Sequence, residues 1–228
     1  MVKSLRIKTG LVVASLVLLA LSAVGAYAVT VPDGSFENLT VGASGNNDFL
    51  PDWAWIVGAG NTGLATIVSG GVNGNNCLKF DRTICPTPEN WSTVIYTSPY
   101  PWCNPVVGTP GQKYEVSFWA YGTGTLNFQS VSWYTLDNQN VICNGNEILD
   151  GSSDTLQNYN LTNQWTKYSA TFTAKAGTQV ESLSFRILNV GTYYLDNVTM
   201  TAVPEPGSML AMLSGFAGLV GFGIRRRK

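Results

Sequence analysis

The chain contains no histidine. That absence excludes a Ser-His-Asp or Cys-His arrangement and a histidine general base. It also leaves the four cysteines without the partner that would complete a mixed zinc site. Charge is scarce: Asp, Glu, Lys and Arg together make up 12% of the 228 residues. Seven of the thirteen basic residues sit at the two ends, so residues 29–202 hold six basic and thirteen acidic residues, a net charge of −7. That sign argues against nucleic acid and anionic lipid as partners. It also argues against strongly acidic polysaccharides unless a cation bridges them. Amphipathic helical stripes and internal repeats are missing as well. Paired carboxylates about 5–9 Å apart remain as a route to glycoside hydrolysis. Asp81, Glu89, Glu115 and Asp137 are available, but none sits in a catalytic motif, and the reading is that the chain is not an enzyme.

What is present at the ends is specific. Lys3, Arg6 and Lys8 precede an apolar run from Leu11 to Leu21, and Ala26-Tyr27-Ala28 follows as an A-x-A site. This predicts a signal peptide over residues 1–28, cut by signal peptidase after Ala28. At the other end, Val203-Pro204-Glu205-Pro206 leads into an apolar stretch over 207–224 and then Arg225-Arg226-Arg227-Lys228. At 1.5 Å per residue that stretch spans roughly 27 Å, enough for a transmembrane helix in a thin bilayer. The basic cluster keeps its own end cytoplasmic.

Residues 203–228 resemble the PEP-CTERM sorting tails of Gram-negative bacteria, with the Pro-Glu-Pro, the apolar stretch and the basic end in order. The resemblance implies an exosortase as the partner of the tail, with Pro204, Glu205, Pro206, Arg225, Arg226 and Arg227 as the sorting signal. It also implies transient anchoring in the inner membrane, then display at the cell surface or in the extracellular matrix. Carriers of such tails are often encoded alongside exopolysaccharide synthesis.

Cys77, Cys85, Cys103 and Cys143 all fall in the exported part, which predicts two disulfides. Three pairings exist. If Leu78 to Ile84 is one extended strand, Cys77 and Cys85 lie about 26 Å apart and cannot bond to each other. Of the other two, Cys77 with Cys103 and Cys85 with Cys143 is preferred.

Between the ends, strand signals dominate. Tyr114 to Tyr121 alternates with period two, placing Val116, Phe118 and Ala120 on one face and Ser117, Trp119 and Tyr121 on the other. Leu126 to Leu136, Thr166 to Thr173, Ser182 to Leu188 and Tyr193 to Thr201 read as further strands. Thr62 to Val68, Leu78 to Phe80 and Thr93 to Thr97 precede them. Turn residues such as Asn73-Gly74, Pro110-Gly111 and Gly122 to Gly124 punctuate the series. Asn144 to Asn160 is polar and reads as a long loop. The prediction is an all-β, antiparallel sandwich of jelly-roll type over 29–202, flanked by the signal peptide and the transmembrane tail.

The order of several short motifs resembles the carbohydrate-binding modules of families 4 and 9. They are Asp33-Gly34-Ser35-Phe36-Glu37 with Trp53, Pro110-Gly111-Gln112-Lys113-Tyr114 leading into Ser117-Phe118-Trp119, Trp165-Thr166-Lys167-Tyr168 with Phe172, and Tyr194-Leu195-Asp196-Asn197-Val198. The resemblance implies one structural calcium ion, held here by Glu37 and Asp196, and a polysaccharide ligand.

Seven tryptophans and ten tyrosines suit a sugar ligand, because aromatic faces stack on the C–H faces of pyranose rings. Trp53, Phe118, Trp165 and Phe172 fit core positions. Trp119, Tyr121, Trp133, Trp91 and Trp102 are the candidate ligand platform, with Asn127, Gln129 and Asn138 as hydrogen-bonding neighbours. The functional expectation is a noncatalytic, surface-displayed glycan-binding protein. Two alternatives stand beside it: a passive matrix protein whose aromatics serve only the core, and a polysaccharide-degrading enzyme on a jelly-roll scaffold.

Overall fold

A computed structural model describes residues 27–45, 52–57, 62–84, 93–97, 106–133, 156–204 and 214. Residues Ala28–Ala202 form one compact unit. In chain order its strands are β1 (Ala28–Val29), β2 (Ser44–Gly45), β3 (Trp53–Val57), β4 (Thr62–Ser69), β5 (Asn76–Ile84), β6 (Thr93–Thr97) and β7 (Val106–Val107). They continue as β8 (Lys113–Gly122), β9 (Thr125–Trp133), β10 (Leu156–Asn160), β11 (Thr166–Thr173), β12 (Val180–Ile187) and β13 (Gly191–Ala202). Every pairing is antiparallel. One sheet runs β11-β8-β13-β5-β4-β2, with β1 also on β13; the other runs β10-β9-β12-β6-β3, with β7 also on β12. The two are called sheet A and sheet B below. The all-β antiparallel sandwich is the architecture that the alternation predicts.

The core lies between the sheets and follows strand parity. Val116, Phe118 and Ala120 of β8 are buried in it with Leu126 and Phe128 of β9, Leu183, Phe185 and Ile187 of β12, and Tyr193 and Leu195 of β13. Phe118 and Phe185 meet edge-on at 4.9 Å between centroids. Trp53 is fully buried, packs 5.0 Å from Phe36, and donates its indole N–H to the Pro32 carbonyl at 3.0 Å. A buried indole needs such a partner, and here the bond ties the N-terminal turn to the core.

Three expectations are corrected. Leu156–Asn160 is a strand, not part of a loop: it pairs with β9, buries Tyr159, and joins Asn158 to Asn127 through a 2.7 Å side-chain bond. Tertiary pairing overrides the weak strand propensity of its asparagines. Trp165 is not a core residue; it stands half-buried just before β11, against Tyr121. Cys77 carries a free, buried thiol rather than a disulfide. It faces the outer side of sheet A, where β4, β5 and β13 run side by side, and Val68 is its register partner. Cys85, Cys103 and Cys143 lie outside the described residues, as do 1–26 and the apolar stretch of 207–224 except Ser214. Among the described residues, no helix is long and apolar enough to cross a membrane.

Candidate functional site

The outer face of sheet A is built by the strands whose parity the sequence shows. With Phe118 inward, Ser117, Trp119 and Tyr121 point outward from β8 and are half-buried. Across β8 the register partners are Lys167 and Asp196 for Trp119, and Tyr194 for Tyr121. Tyr194 is the residue that sequence reasoning missed, although its alternation with buried Tyr193 and Leu195 carries the signal. The Tyr121 and Tyr194 rings stack face to face, 4.0 Å apart and 4° from parallel. Trp165 meets Tyr121 edge-on at 4.5 Å. Tyr121 and Tyr194 therefore stand up from the sheet as paired slats rather than a flat floor. Burial, helped by the hydrogen bond to Tyr194, pushes the Tyr121 hydroxyl above its ordinary pKa. Among the described residues Trp119 is half-buried and makes no ring–ring contact.

Polar groups surround these rings. A cavity of about 340 Å³ is lined by Lys79, Tyr121, Thr123, Asn163, Thr192 and Tyr194. Lys79 pairs with Asp81 at 2.7 Å, and Asp81 accepts a 2.7 Å bond from the Thr192 hydroxyl. A second cavity of about 400 Å³ lies farther down β8, lined by Glu115, Ser117, Lys167, Ser169, Thr199 and Thr201.

Trp133 does not join this platform. The chain leaves sheet A at Gly122 and re-enters in sheet B, so β9, which ends at Trp133, pairs with β10 and β12 instead. Gly122 permits the turn with φ +144°, and a Cβ there would lie 2.2 Å from the Thr192 carbonyl oxygen. For the same reason Asn127 and Gln129 are not neighbours of Trp119; on β9 they bond to Asn158 and Arg186. Trp91, Trp102 and Asn138 lie outside the described residues.

Glu37 and Asp196, the expected calcium ligands, both reach the turn between β4 and β5. Gly34 lies so close to β13 that a Cβ would sit 2.2 Å from the Val198 carbonyl oxygen, and its own carbonyl accepts the Val198 N–H at 2.7 Å. This contact carries Glu37 toward Asp196. Asp196 is 2% exposed, and its two carboxylate oxygens accept the Val72 N–H at 2.7 Å and the Asn197 N–H at 2.6 Å. Glu37 is exposed and accepts the Asn76 N–H at 2.9 Å. Both carboxylates are approached closely by the turn between β4 and β5. A Cβ on Gly71 would lie 2.8 Å from Asp196 Oδ2, and one on Gly74 2.0 Å from Glu37 Oε1.

The backbone around this cradle is strained. The three non-glycine residues with positive φ among those described are Asp33, Phe36 and Asn197, all adjoining it; such conformations cost about 1–3 kcal/mol each. Asn197 sits in a β-bulge, since Asp196 pairs with Trp119 while Thr199 pairs with Ser117. The extra residue keeps Asp196 outward and turns Val198 into the core. Burial pushes the Asp196 carboxyl above its ordinary pKa against the pull of its two backbone hydrogen bonds, and the Glu37 charge adds to the rise. Two hard carboxylates, one buried and one open to solvent, against a glycine-bearing turn suit a hard cation completed by backbone carbonyls and water. Among the described residues no group of three or more acidic, cysteine or histidine side chains is placed to hold a metal ion.

The chain continues from β13 through half-buried Val203 and Pro204. Residues 202–228 match the PEP-CTERM protein-sorting motif. The PEP-CTERM tail indicates export and a membrane-anchored sorting step in Gram-negative bacteria. No curated protein matches the chain. Among solved structures, it is similar to the enzymatically active domain of Bacteriophage CBA120 tailspike protein 4, with 14% identity, 77% of this chain covered and a TM-score of 0.48. It spans 21% of that tailspike chain. It is also similar to a CBM4 module, with 20% identity, 76% of this chain and 100% of the module covered, and a TM-score of 0.47. A third similar structure is a CBM61 module in complex with β-1,4-galactotriose, with 14% identity, 77% and 99% covered, and a TM-score of 0.44.

Proposed function

We propose that this is an exported, noncatalytic glycan-binding protein whose ligand face is the outer surface of sheet A, centred on Trp119. The observation that carries the reading is an outward, half-buried tryptophan without a ring partner among the described residues. It sits beside the Tyr121–Tyr194 stack and a cavity rimmed by Lys79, Asn163 and Thr192. A large ring on the solvent side has no folding reason to be there, and sugars stack on such rings. The noncatalytic reading is supported by how the described carboxylates are used: Asp81 is held by Lys79 and Thr192, and Glu37 and Asp196 are bonded to backbone amides. Of the other candidate acids, Glu115 is exposed, and Glu89 and Asp137 lie outside the described residues.

In the same proposal, signal peptidase cuts after Ala28, leaving Val29 at the new N-terminus with its pairing to Met200 intact. The 207–224 helix anchors the chain in the inner membrane, and an exosortase processes the tail. The protein then reaches the cell surface or matrix. A calcium ion held by Glu37 and Asp196 neutralises the two carboxylates and fixes the β4–β5 turn against β13.

The test is Trp119→Ala on a glycan array and in thermal melts. Array binding is expected to be lost while the fold persists, with a stability cost well short of the roughly 3–5 kcal/mol for truncating a fully buried aromatic. Binding equal to wild type overturns the ligand face and favours the passive matrix protein.

A further inference from the structure

We propose that Tyr121 and Tyr194 form an oxidative cross-linking site, at which hydrogen peroxide and a peroxidase join the two rings into a dityrosine that staples β8 to β13. The proposal stands apart from the glycan reading. The two tyrosines are direct register partners on adjacent antiparallel strands. Their rings lie face to face, 4.0 Å between centroids and 4° from parallel, and their hydroxyls share a hydrogen bond. Parallel rings that bring their hydroxyls together point the same way, so the ring carbons ortho to the hydroxyls also face each other. Those carbons carry much of the unpaired electron in a phenoxyl radical, and they are the atoms that couple.

Each phenol loses one electron and one proton and becomes a phenoxyl radical. The two radicals form one Cε–Cε bond, and the protons displaced from the joined carbons restore the two hydroxyls. Overall, two phenols and one hydrogen peroxide give one dityrosine and two waters. The surroundings favour this pair. Both rings line the cavity of about 340 Å³, which leaves room for them to tilt together. Trp165, half-buried and edge-on to Tyr121 at 4.5 Å, serves as a relay when it is struck first, because an indole radical oxidises a phenol. A second tyrosine pair, Tyr159 and Tyr168, lacks this geometry. Its rings are 60° from parallel at 5.1 Å, and its hydroxyls donate to two different backbone carbonyls, those of Ser169 at 2.6 Å and Asn160 at 3.3 Å. Export takes the chain out of the reducing cytoplasm, into surroundings where oxidative bonds persist. The bond closes a loop of chain between β8 and β13, restraining the unfolded state as a disulfide does.

The full chain in detergent is treated with a haem peroxidase and limiting hydrogen peroxide, and the products are digested and mapped by mass spectrometry. The expected product is a single chain lighter by two hydrogens, with dityrosine fluorescence and the bond between the peptides that hold Tyr121 and Tyr194. Tyr121→Phe and Tyr194→Phe keep both rings and remove one hydroxyl each. Both variants are expected to lose this bond, and thermal melts confirm their fold. Unfolding in guanidinium before oxidation is expected to remove the preference for the pair. Three results overturn the site: dityrosine mapped chiefly to other tyrosines or between chains, no dityrosine while free tyrosine couples in the same reaction, or the same bond in equal yield from the unfolded chain.

Discussion

Cys77 shows how one residue's surroundings decide its chemistry. It is 1% exposed, and burial pushes its thiol up to about 12, with the charges of Asp196 and Glu37 adding to the shift. The thiolate is the nucleophile, so native protein at neutral pH is expected to leave Cys77 unmodified by iodoacetamide. Unfolding should expose it to complete labelling. Peptide mapping checks this, and a label on Cys77 in the folded protein would contradict its burial. Asp196 behaves in the opposite sense to a salt-bridged carboxylate. Its folded pKa lies above the ordinary 3.8, so without a cation the folded chain holds this proton more tightly than the unfolded one. Its contribution therefore makes stability fall as pH rises from about 4 through the folded value, and then level off. A bound calcium ion removes that penalty at neutral pH. Calcium at a hundredfold excess over its dissociation constant is expected to raise the melting temperature by roughly 5–10 °C. EDTA should reverse the rise and Asp196→Asn abolish it. An Asp196→Asn protein that still gains the full shift would rule out this carboxylate as a ligand.

At the level of strands, the sequence was most legible where parity is uninterrupted. β8 alternates over its whole length, and from Tyr114 to Ala120 alone the buried set could be read as Tyr114, Val116, Phe118 and Ala120. β11 matches its expected bounds for the same reason, Ala170 and Phe172 inward and Ser169 and Thr171 outward. Legibility fails where a neighbour, rather than the strand itself, supplies the reason. β10 is a strand because β9 receives it, and nothing in Leu-Gln-Asn-Tyr-Asn announces that. The bulge at Asn197 is equally hidden, since strict alternation would send Val198 to the side of Asp196. Only the Asp-Asn pair, tolerant of left-handed backbone, hints at it. The half of the candidate site on Trp119 and Tyr121 followed from parity; the Tyr194 half and the loss of Trp133 required knowing that β8 has β13, not β9, beside it. Gly34→Ala tests how the N-terminal turn is held. A Cβ there meets a backbone carbonyl that cannot move without breaking β13, so the substitution is expected to cost on the order of 1–3 kcal/mol. The denaturation midpoint should fall accordingly, and an unchanged midpoint would show that the turn yields freely.

For the whole molecule, β13 links the parts. It pairs with β1, β5 and β8, carries Tyr194 and Thr199 on the proposed ligand face and Asp196 in the proposed cation cradle, and runs at Ala202 into the PEP-CTERM tail. Its pairing of Met200 with Val29 also brings the start of the sandwich to the end of the same strand. The sandwich is thus entered and left at one place, and its proposed ligand face runs along the strand that ends in the tail. Display of such a domain depends on the tail being read, and the tail's first element is Pro204-Glu205-Pro206. Replacing those three residues by alanine leaves β13 and the sheet pairings untouched, because the strand ends at Ala202. The fold and any glycan binding are therefore expected to survive, while sorting fails and full-length protein accumulates in the inner membrane. A blot of fractionated cells separates the two properties. Retention of the variant at higher apparent mass supports exosortase processing at this motif, whereas wild-type mobility and wild-type location would show that the Pro-Glu-Pro segment is not what the sorting machinery reads.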